Sequence, residues 1–323
     1  MKKQTKIAAV LSAAAFMTMV SGLPAYAASY GWVTEGDAKV YYDEDGYLTT
    51  DAWRKRGEDW YYLGENGQIV TDAKIDEYYV DSEGKMVTSA WVELKNEEDP
   101  DSPETPDTFW YYFEKDGKSA VSKWVKFDSK WYYFDESGHM ATGKTEIDGA
   151  TYYLGTEKDG FMRTGWIRLE ENSHAPGASE SWYYFNSDGK MVTTQYDKKI
   201  DGSYYTFIDG KMQTGWVLMP SKSDVTDSNA ASPKITDYQY YGAAGDGKRA
   251  EGFRSIEGIS GIHAADEVYT FYFKAGKPYV SDKKGNSLFT INAKKYAFSD
   301  LGIMQTGRQI ANVANDEIAN FYF

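Results

Sequence analysis

Residues 124–134 read Trp-Val-Lys-Phe-Asp-Ser-Lys-Trp-Tyr-Tyr-Phe, two β-prone runs on either side of a short polar turn. This pattern is typical of a β-hairpin. The pairs Asp148-Gly149 and Asp201-Gly202 occupy the same turn in other segments. Asp-Gly is favoured there because both central residues of such a turn need a positive φ. A lone two-stranded hairpin is marginally stable in water, so the stretch predicts that neighbouring hairpins stack on it.

The hairpin pattern recurs along the chain and is marked by a pair of aromatic residues. The first tyrosines of these pairs are Tyr41, Tyr61, Tyr78, Tyr111, Tyr132, Tyr152, Tyr183, Tyr204 and Tyr240. The basic spacing is about 20 residues, between 17 and 21, and the three longer spacings leave room for insertions within a repeat. Short repeats that cannot bury a core alone indicate a solenoid. We therefore predict an all-β fold, a solenoid of stacked β-hairpins.

Tryptophan and methionine occupy fixed positions in the repeat. The tryptophans that open the first strand are Trp32, Trp53, Trp91, Trp124, Trp166 and Trp216, and those that precede a tyrosine pair are Trp60, Trp110, Trp131 and Trp182. Methionine falls two residues after the turn glycine at Met86, Met140, Met162, Met191, Met212 and Met304. This regularity favours a binding role over an ordinary core.

The composition excludes several kinds of site. The 323 residues include 28 tyrosines, 15 phenylalanines and ten tryptophans, but no cysteine and three histidines. A cysteine nucleophile and a thiolate metal site are therefore excluded, and we expect no metal and no cofactor. The formal charge is −14, and phosphate would be repelled by such a chain, which argues against nucleic-acid binding. Cationic or neutral, sugar-like partners are expected instead.

The N-terminal residues have the features of an export signal. Lysines stand near the start, an apolar run covers Ile7–Val20, and Ala25-Tyr26-Ala27 is a small-x-small cleavage site. Cleavage after Ala27 removes three lysines and leaves 32 basic and 49 acidic side chains, a formal charge of −17. No later stretch approaches the roughly 20 apolar residues that a membrane helix needs. We expect residues 1–27 to be a signal peptide and the mature protein to be secreted, without a transmembrane segment.

One repeat carries a motif that resembles a known family. The motif runs Thr164-Gly165-Trp166, then Trp182-Tyr183-Tyr184-Phe185, then Gly189-Lys190-Met191, and is followed by Thr214-Gly215-Trp216. It resembles the cell-wall-binding repeats of Gram-positive surface proteins, a superfamily that includes choline-binding and glucan-binding repeats. Good copies extend from Gly31 to Thr214, and degraded ones continue to Phe323. The resemblance implies non-covalent attachment to the polysaccharide or teichoic acid of the cell wall, and a location in the wall or at the cell surface.

The resemblance also implies where a ligand lies. In choline-binding members the ligand sits between successive hairpins, in a cage of two tryptophans, a tyrosine of the next repeat and a methionine. A quaternary ammonium is held there by cation–π attraction. The most complete candidate cages are Trp124, Trp131, Tyr153 and Met140, and Trp166, Trp182, Tyr205 and Met191. Poorer copies, with Ile69 and Ser119 in the methionine position, are Trp53 with Trp60 and Trp91 with Trp110.

Two other interpretations of the aromatic residues stay open. Aromatic faces also suit sugars, whose apolar C–H faces stack on rings, so a glucan or a wall polysaccharide is an alternative to choline. Short hairpins have no separate core, so the same rings also have to serve as packing between repeats.

The predicted layout follows from the repeats. After the signal peptide we expect regular repeats over 28–218 with acidic insertions near 93–108 and 170–180, a flexible linker or insertion at 219–237, and degenerate repeats over 238–323, the last one incomplete. The repeats begin soon after the cleavage site and no nucleophile with a base is visible, so we expect no enzyme. The alternatives are a fragment of a larger surface enzyme, of amidase or glucosyltransferase type, and an adhesin whose repeats are mainly scaffold.

Overall fold

The computed structural model describes residues 30–96, 106–170, 179–220, 232–264, 266–312 and 318–322. The predicted signal peptide and the middle of both acidic insertions lie outside the described residues. By its internal contacts the chain divides into a first unit, Met1–Lys123 with Phe134–His139, and a second unit, Trp124–Tyr133 with Met140–Phe323.

Strands dominate the described residues, as the sequence predicts. The strands up to residue 134 are β1 (Gly31–Glu35), β2 (Ala38–Tyr42), β3 (Ala52–Arg56), β4 (Asp59–Leu63), β5 (Ala73–Ile75), β6 (Tyr78–Val80), β7 (Ala90–Lys95), β8 (Thr108–Phe113), β9 (Lys123–Phe127) and β10 (Lys130–Phe134). Those that follow up to residue 218 are β11 (Lys144–Ile147), β12 (Ala150–Tyr153), β13 (Gly165–Glu170), β14 (Glu180–Phe185), β15 (Gln195–Ile200), β16 (Ser203–Ile208), β17 (Lys211–Met212) and β18 (Gly215–Leu218). The remainder are β19 (Tyr238–Tyr241), β20 (Gly252–Glu257), β21 (Val268–Lys274), β22 (Lys277–Pro278), β23 (Asn286–Ile291), β24 (Lys294–Ser299), β25 (Arg308–Asn312) and β26 (Ile318–Tyr322).

Consecutive strands pair as antiparallel hairpins. The pairs are β1–β2, β3–β4, β5–β6, β7–β8, β9–β10, β11–β12, β13–β14, β15–β16, β18–β19, β20–β21, β23–β24 and β25–β26. Strands β17 and β22 extend two of these sheets, and β23 also pairs in parallel with β25. The tight turns have the predicted geometry, since Asp148 and Gly149 have φ values of 50° and 73°. The prediction of an all-β hairpin fold is confirmed.

The segment 219–237 lies inside one hairpin, because it connects β18 to β19. The two described ends of this segment contact each other. The Met219 N–H donates to the carbonyl of Asp237 at 2.9 Å, and Ile235, which begins a 3₁₀ turn, is buried. This is the position of an insertion between paired strands.

Each hairpin presents two different aromatic faces, because successive residues of a strand point to opposite sides. In β13–β14, Trp166 lies opposite Tyr184, and Trp182 shares that side because it is two residues from Tyr184. The other side carries Tyr183 and Phe185, which are 3% and 0% exposed. Within each unit the tryptophan face of one hairpin packs on the Tyr–Phe face of the next.

The core is a row of phenylalanine rings between hairpins. The fully buried ones are Phe113, Phe134, Phe185, Phe207, Phe271, Phe273 and Phe298. The second tyrosine of a pair packs on the phenylalanine of the following hairpin, with ring centroids 5.9 Å apart for Tyr79 and Phe113 and 6.2 Å apart for Tyr153 and Phe185. Because full burial of one such ring stabilises by about 1.5–3 kcal/mol, the row supplies the cohesion that a lone hairpin lacks.

The turn glycines make room for the methionine of the preceding repeat. A Cβ added to Gly189 would lie 2.2 Å from the Met162 sulfur, and one added to Gly160 would lie 2.3 Å from the Met140 sulfur. The same contact joins Met86 to Gly117, Met191 to Gly210 and Met212 to Gly247. The fixed position of methionine therefore has a packing reason, since its thioether bridges adjacent repeats.

Candidate ligand-binding site

An aromatic cleft lies between the hairpin β13–β14 and the sheet β15–β17. The Trp166 ring meets Tyr205 at a centroid distance of 4.7 Å and Trp182 at 6.4 Å, both edge to face. The cleft has a volume of about 280 Å³ and is lined by Trp166, Trp182, Tyr205, Met212, Gly245, Asp246 and Lys248. Three rings and a thioether thus surround one space, with a carboxylate and an ammonium beside them.

The methionine of this cleft differs from the one assigned from the sequence. The Met191 N–H donates to the carbonyl of Thr151 at 2.8 Å, one hairpin earlier. Met212 lines the cleft instead. The tail after each turn glycine folds back on the preceding hairpin, so each methionine belongs to the interface in front of its own repeat. The assignment of Met191 to the cage of Trp166 was therefore wrong by one repeat.

The tyrosine at Trp124 also differs from the sequence assignment. Trp124 contacts Tyr152, with ring centroids 4.9 Å apart, whereas Tyr153 faces the opposite side and meets Phe185. Adjacent residues of a strand point to opposite faces. In β12 it is the first tyrosine that turns back toward the preceding tryptophan, so Tyr152 takes the place assigned to Tyr153.

The methionine beside Trp131 is Met162 rather than Met140. The Met162 N–H donates to the Trp131 carbonyl at 2.7 Å, and its side chain packs on the buried cluster that contains Tyr152. Met140 lies instead on the turn glycine Gly160. The second cage therefore consists of Trp124, Trp131, Tyr152 and Met162.

The pair Trp53 and Trp60 has the same partners, although the sequence marks it as a poorer copy. Trp53 meets Tyr78 at a centroid distance of 5.3 Å, and the Met86 N–H donates to the Trp60 carbonyl at 2.8 Å. Trp60 is 40% exposed and Trp131 is 41% exposed, so the inner tryptophan is equally accessible at both places. Because methionine comes from the following repeat, Ile69 does not weaken this cage.

The insertion in the repeat of Trp91 leaves its two tryptophans together. Trp91 and Trp110 meet edge to face at 6.5 Å, and Trp91 also contacts Phe134 at 5.4 Å. The strands β7 and β8 stay paired as far as Lys95 and Thr108. Ser119 donates its N–H to the carbonyl of Glu77 at 2.8 Å, and so belongs to the preceding interface.

The charges opposite the inner tryptophans differ from one hairpin to the next. Lys55 is the cross-strand partner of Trp60, Glu93 of Trp110 and Arg168 of Trp182. At Trp131 the Lys126 ammonium lies 5.8 Å from the ring centroid. Arg168 is in turn paired with Glu180 at 2.5 Å, so the charge that a cationic ligand would meet differs from one tryptophan pair to the next.

Within the described residues, no group of three or more His, Cys, Asp or Glu side chains is placed to hold a metal ion. The same residues include no helix that is long and apolar enough to cross a membrane. Sheets of two to four strands make up the described fold, and no separate catalytic domain stands among them. What these interfaces offer chemically is aromatic surface for a ligand.

Sequence reasoning missed five of the residues that complete these cages. They are Tyr78, Met86, Tyr152, Met162 and Met212. The alternation of side chains along a strand could have selected Tyr152, because Tyr152 is the first tyrosine of its pair, as Tyr183 is, and Tyr183 points away from the tryptophans of its own hairpin. The methionines could not be assigned, because no sequence feature tells whether the tail folds backward or forward.

Models of protein families match three parts of the chain. The choline-binding repeat matches residues 121–166 and 47–85, and the putative cell wall binding repeat matches residues 178–191. No curated protein sequence matches the chain. The predicted resemblance is confirmed by these matches, which mark three segments of the chain as similar to choline-binding and cell wall binding repeats.

Solved structures share the fold. CbpJ from Streptococcus pneumoniae is 20% identical, with a TM-score of 0.52 over 89% of this chain and 97% of that chain. The modular autolysin LytC from Streptococcus pneumoniae, solved in complex with a synthetic peptidoglycan ligand, is also 20% identical, with a TM-score of 0.51 over 85% of this chain and 52% of that chain. This chain spans about half the length of the autolysin. The described residues thus form a fold of repeated β-hairpins, and three of its segments are similar to choline-binding and cell wall binding repeats.

Proposed function

We propose that this protein is a secreted wall-binding module whose tryptophan cages hold quaternary ammonium groups, such as the choline of a wall teichoic acid or polysaccharide. The observation that carries the proposal is the cleft where Trp166, Trp182, Tyr205 and Met212 meet. A quaternary ammonium cannot donate a hydrogen bond, and aromatic faces attract it by cation–π interaction. The acidic chain also concentrates cations near its surface.

Each proposed cage is lined by four residues with different positions around the ligand. The opening tryptophan and the tyrosine of the next hairpin form the walls, the inner tryptophan forms an exposed side, and methionine forms the floor. The sets are Trp53, Trp60, Tyr78 and Met86; Trp124, Trp131, Tyr152 and Met162; and Trp166, Trp182, Tyr205 and Met212. Trp91 and Trp110 contribute a further tryptophan pair.

Affinity for a single ligand group should be low. Each ring contributes about 0.5–2 kcal/mol to a cation–π contact, so three rings bring the dissociation constant to the order of 1 mM. A wall polymer repeats its ligand group many times. Several cages on one chain can then bind together, and the overall affinity exceeds that of one cage by a factor of about 10²–10⁴ when the spacing allows it.

Export and layout belong to the same proposal. Residues 1–27 act as a cleaved signal peptide, the regular repeats of 28–218 carry the ligand cages, and the degenerate repeats of 238–323 pack without tryptophan pairs. The support is the apolar run Ile7–Val20 before a small-x-small site. N-terminal sequencing of the secreted protein tests the cleavage, since processing predicts Ala28 as the first residue.

The chain itself is proposed to bind and not to catalyse. The support is the hairpin repeat, which fills the described residues without a nucleophile and base pair in a cleft. Because the chain is similar in structure to about half of a longer autolysin, we retain the alternative that these repeats anchor a surface enzyme. Assay of the purified chain on wall material, with release of soluble fragments as readout, decides between the two.

The test of ligand class is retention of the protein on choline-containing wall polymer. Release by millimolar choline supports the cation cage, whereas retention in choline and release by glucan oligosaccharide supports sugar stacking. Trp131→Ala should weaken retention, and Phe127→Ala is the matched control, because both rings are 41% exposed on the same hairpin. Failure to bind any wall fraction contradicts the proposal.

A further inference from the structure

Three interfaces without a tryptophan pair carry a cation of the protein itself over an aromatic ring, in the position that a tryptophan or a methionine holds elsewhere. The Lys74 ammonium lies 4.5 Å from the ring centroid of Tyr111, and the Lys144 ammonium lies 5.5 Å from that of Tyr183. The Arg249 guanidinium lies 4.1 Å from the ring centroid of Tyr204. We call these three places the cation interfaces, and the cages that follow β3–β4, β9–β10 and β13–β14 the tryptophan interfaces.

The two lysines stand in the position of the opening tryptophan. Lys74 lies opposite Tyr79 in the ladder β5–β6, as Trp53 lies opposite Tyr62 in β3–β4. Lys144 likewise lies opposite Tyr153. Both rings beneath the lysines are the first tyrosines of the next hairpin, which are the rings that Trp53 and Trp124 contact elsewhere. A protein ammonium thus replaces the tryptophan and reaches the same tyrosine.

Arg249 stands in the position of the methionine, two residues after Gly247. Its N–H donates to the Tyr204 carbonyl at 2.8 Å, the bond that Met162 makes to Trp131 in a tryptophan interface. Its side chain is 15% exposed, and its guanidinium forms an ion pair with Asp197 at 2.9 Å. The cation is therefore enclosed where a thioether lies in the tryptophan interfaces.

A hydrogen-bond network holds the counter-charge in place. The Tyr241 hydroxyl donates to the Asp197 carboxylate at 2.8 Å and accepts from the Thr206 hydroxyl at 2.7 Å. Burial raises the pKa of Tyr241 far above its ordinary value, so the hydroxyl keeps its proton. The Asp197 backbone N–H also donates to the Thr206 hydroxyl at 3.1 Å. The carboxylate is thus oriented toward the guanidinium from a fixed backbone.

We infer that Arg249, with Lys74 and Lys144, acts as an internal cation that occupies an aromatic face and closes its interface to an external quaternary ammonium. This inference rests on the proposed function, because it takes the tryptophan interfaces as the places where such a ligand binds. At the cation interfaces the two neighbouring hairpins then remain packed on each other when no ligand is present. Ligand binding is then confined to the interfaces in which no protein cation takes the place of the opening tryptophan or of the methionine, and the number of sites is set by how many interfaces carry such a cation.

The lysine part of the inference is tested by building a cage at Lys144. The double variant Lys144→Trp with Thr151→Trp places two tryptophans beside Tyr183 and Met191, and Thr151→Trp alone keeps the lysine. Equilibrium dialysis with radiolabelled choline should show one additional site in the double variant, with an affinity within about tenfold of the native sites, and none in Thr151→Trp. An additional site of the same affinity in Thr151→Trp alone, or none in the double variant, overturns the inference.

The arginine part is tested by Arg249→Met, which restores the side chain of the tryptophan interfaces and leaves the Asp197 carboxylate beside the Tyr204 ring. The expected result is one additional choline site, whereas Arg249→Lys and Lys190→Met should add none. Lys190 is a suitable control, because its ammonium pairs with Asp188 at 3.6 Å across a turn. An unchanged number of sites in a folded Arg249→Met variant overturns the inference for Arg249. If that variant does not fold, the Lys144 pair alone decides.

These experiments separate the inference from the proposed function. If the native chain binds no choline while the double variant binds one equivalent, the proposed function fails, and of the inference only the closing of the interface by Lys144 stands. If the native chain binds choline and neither variant gains a site, the inference fails alone.

Discussion

The tryptophan interface at Trp131 and the cation interface at Tyr204 use the same backbone and differ in their side chains. In both, the residue two positions after a turn glycine donates its N–H to the carbonyl of the inner aromatic residue, at 2.7 Å from Met162 and 2.8 Å from Arg249. One interface then presents rings and a thioether, and the other is filled by a guanidinium. The two interfaces therefore share their backbone contacts, and the side chains at one or two positions determine what fills the space between the hairpins.

The largest expected effect separates the two tryptophans of a cage. Trp166→Ala removes ring contacts to Tyr205 at 4.7 Å and to Phe207 at 5.7 Å, so it should lower the free energy of unfolding by about 3–5 kcal/mol and abolish one choline site. Trp131→Ala removes a ring that is 41% exposed. It should abolish one site with a much smaller loss of stability. Urea denaturation followed by near-UV circular dichroism, with dialysis for the sites, checks both, and equal losses of stability would contradict the division of roles.

The next effect tests whether the turn glycine positions the methionine. Gly189→Ala puts a Cβ 2.2 Å from the Met162 sulfur at a φ of 81°, and we expect a loss of about 2–3 kcal/mol together with weaker choline binding beside Trp131. Gly149→Ala is the control, because its φ is 73° and no atom lies within 4 Å of the added Cβ. It should cost about 1 kcal/mol and leave binding unchanged. The same measurements apply, and a loss of binding in the control would mean that strain alone disturbs the cage.

The third effect probes the network behind the cation interface by pH. Because burial raises the folded-state pKa of Tyr241, the neutral hydroxyl stabilises the fold below the unfolded pKa of about 10, and this stability is lost as pH rises above that value. Tyr241→Phe also loses the hydrogen bond to Asp197, which contributes about 1–2 kcal/mol. The difference in unfolding free energy between native protein and variant should therefore be largest at pH 8 and shrink toward pH 11.

The control for the loss of stability is Tyr47→Phe, since Tyr47 is 71% exposed. This variant should differ from the native protein by less than about 0.5 kcal/mol at pH 8. A difference for Tyr241→Phe that stays flat from pH 8 to pH 11 would contradict the raised pKa of the buried hydroxyl.

The sequence predicted the hairpins and the resemblance of the repeats correctly, because both depend on local patterns. Asp148-Gly149 fixes a turn by its own conformational preference, and the tryptophan positions repeat in register with those turns. The contacts between hairpins depend instead on how the chain folds back after each turn. For that reason the sequence assigned Met140 and Met191 to interfaces one repeat too late. It also chose Tyr153, although the alternation of side chains along the strand directs Tyr152 toward Trp124.

The cation interfaces could not be recognised as such from the sequence. A lysine such as Lys144 at an exposed strand position is ordinary in an acidic soluble chain, and only the register shows that it replaces an opening tryptophan. Arg249 is equally inconspicuous until its N–H is seen bonded to Tyr204. Turn geometry sets the register within each hairpin. The buried phenylalanines set the contacts between one hairpin and the next.

The smallest expected effect concerns the charges that surround the tryptophan interfaces. Arg168 lies opposite Trp182 and Glu93 lies opposite Trp110. Replacing Arg168 by Gln removes a positive charge and leaves its partner Glu180 unpaired, so it should tighten choline binding at Trp182 by about twofold at low salt, whereas Glu93→Gln should weaken binding at Trp110 by a similar factor. Both shifts should vanish at 1 M salt, where the screening length falls to about 3 Å. Calorimetric titration at two salt concentrations measures them, and a ligand that is an uncharged sugar would show neither shift at either salt concentration.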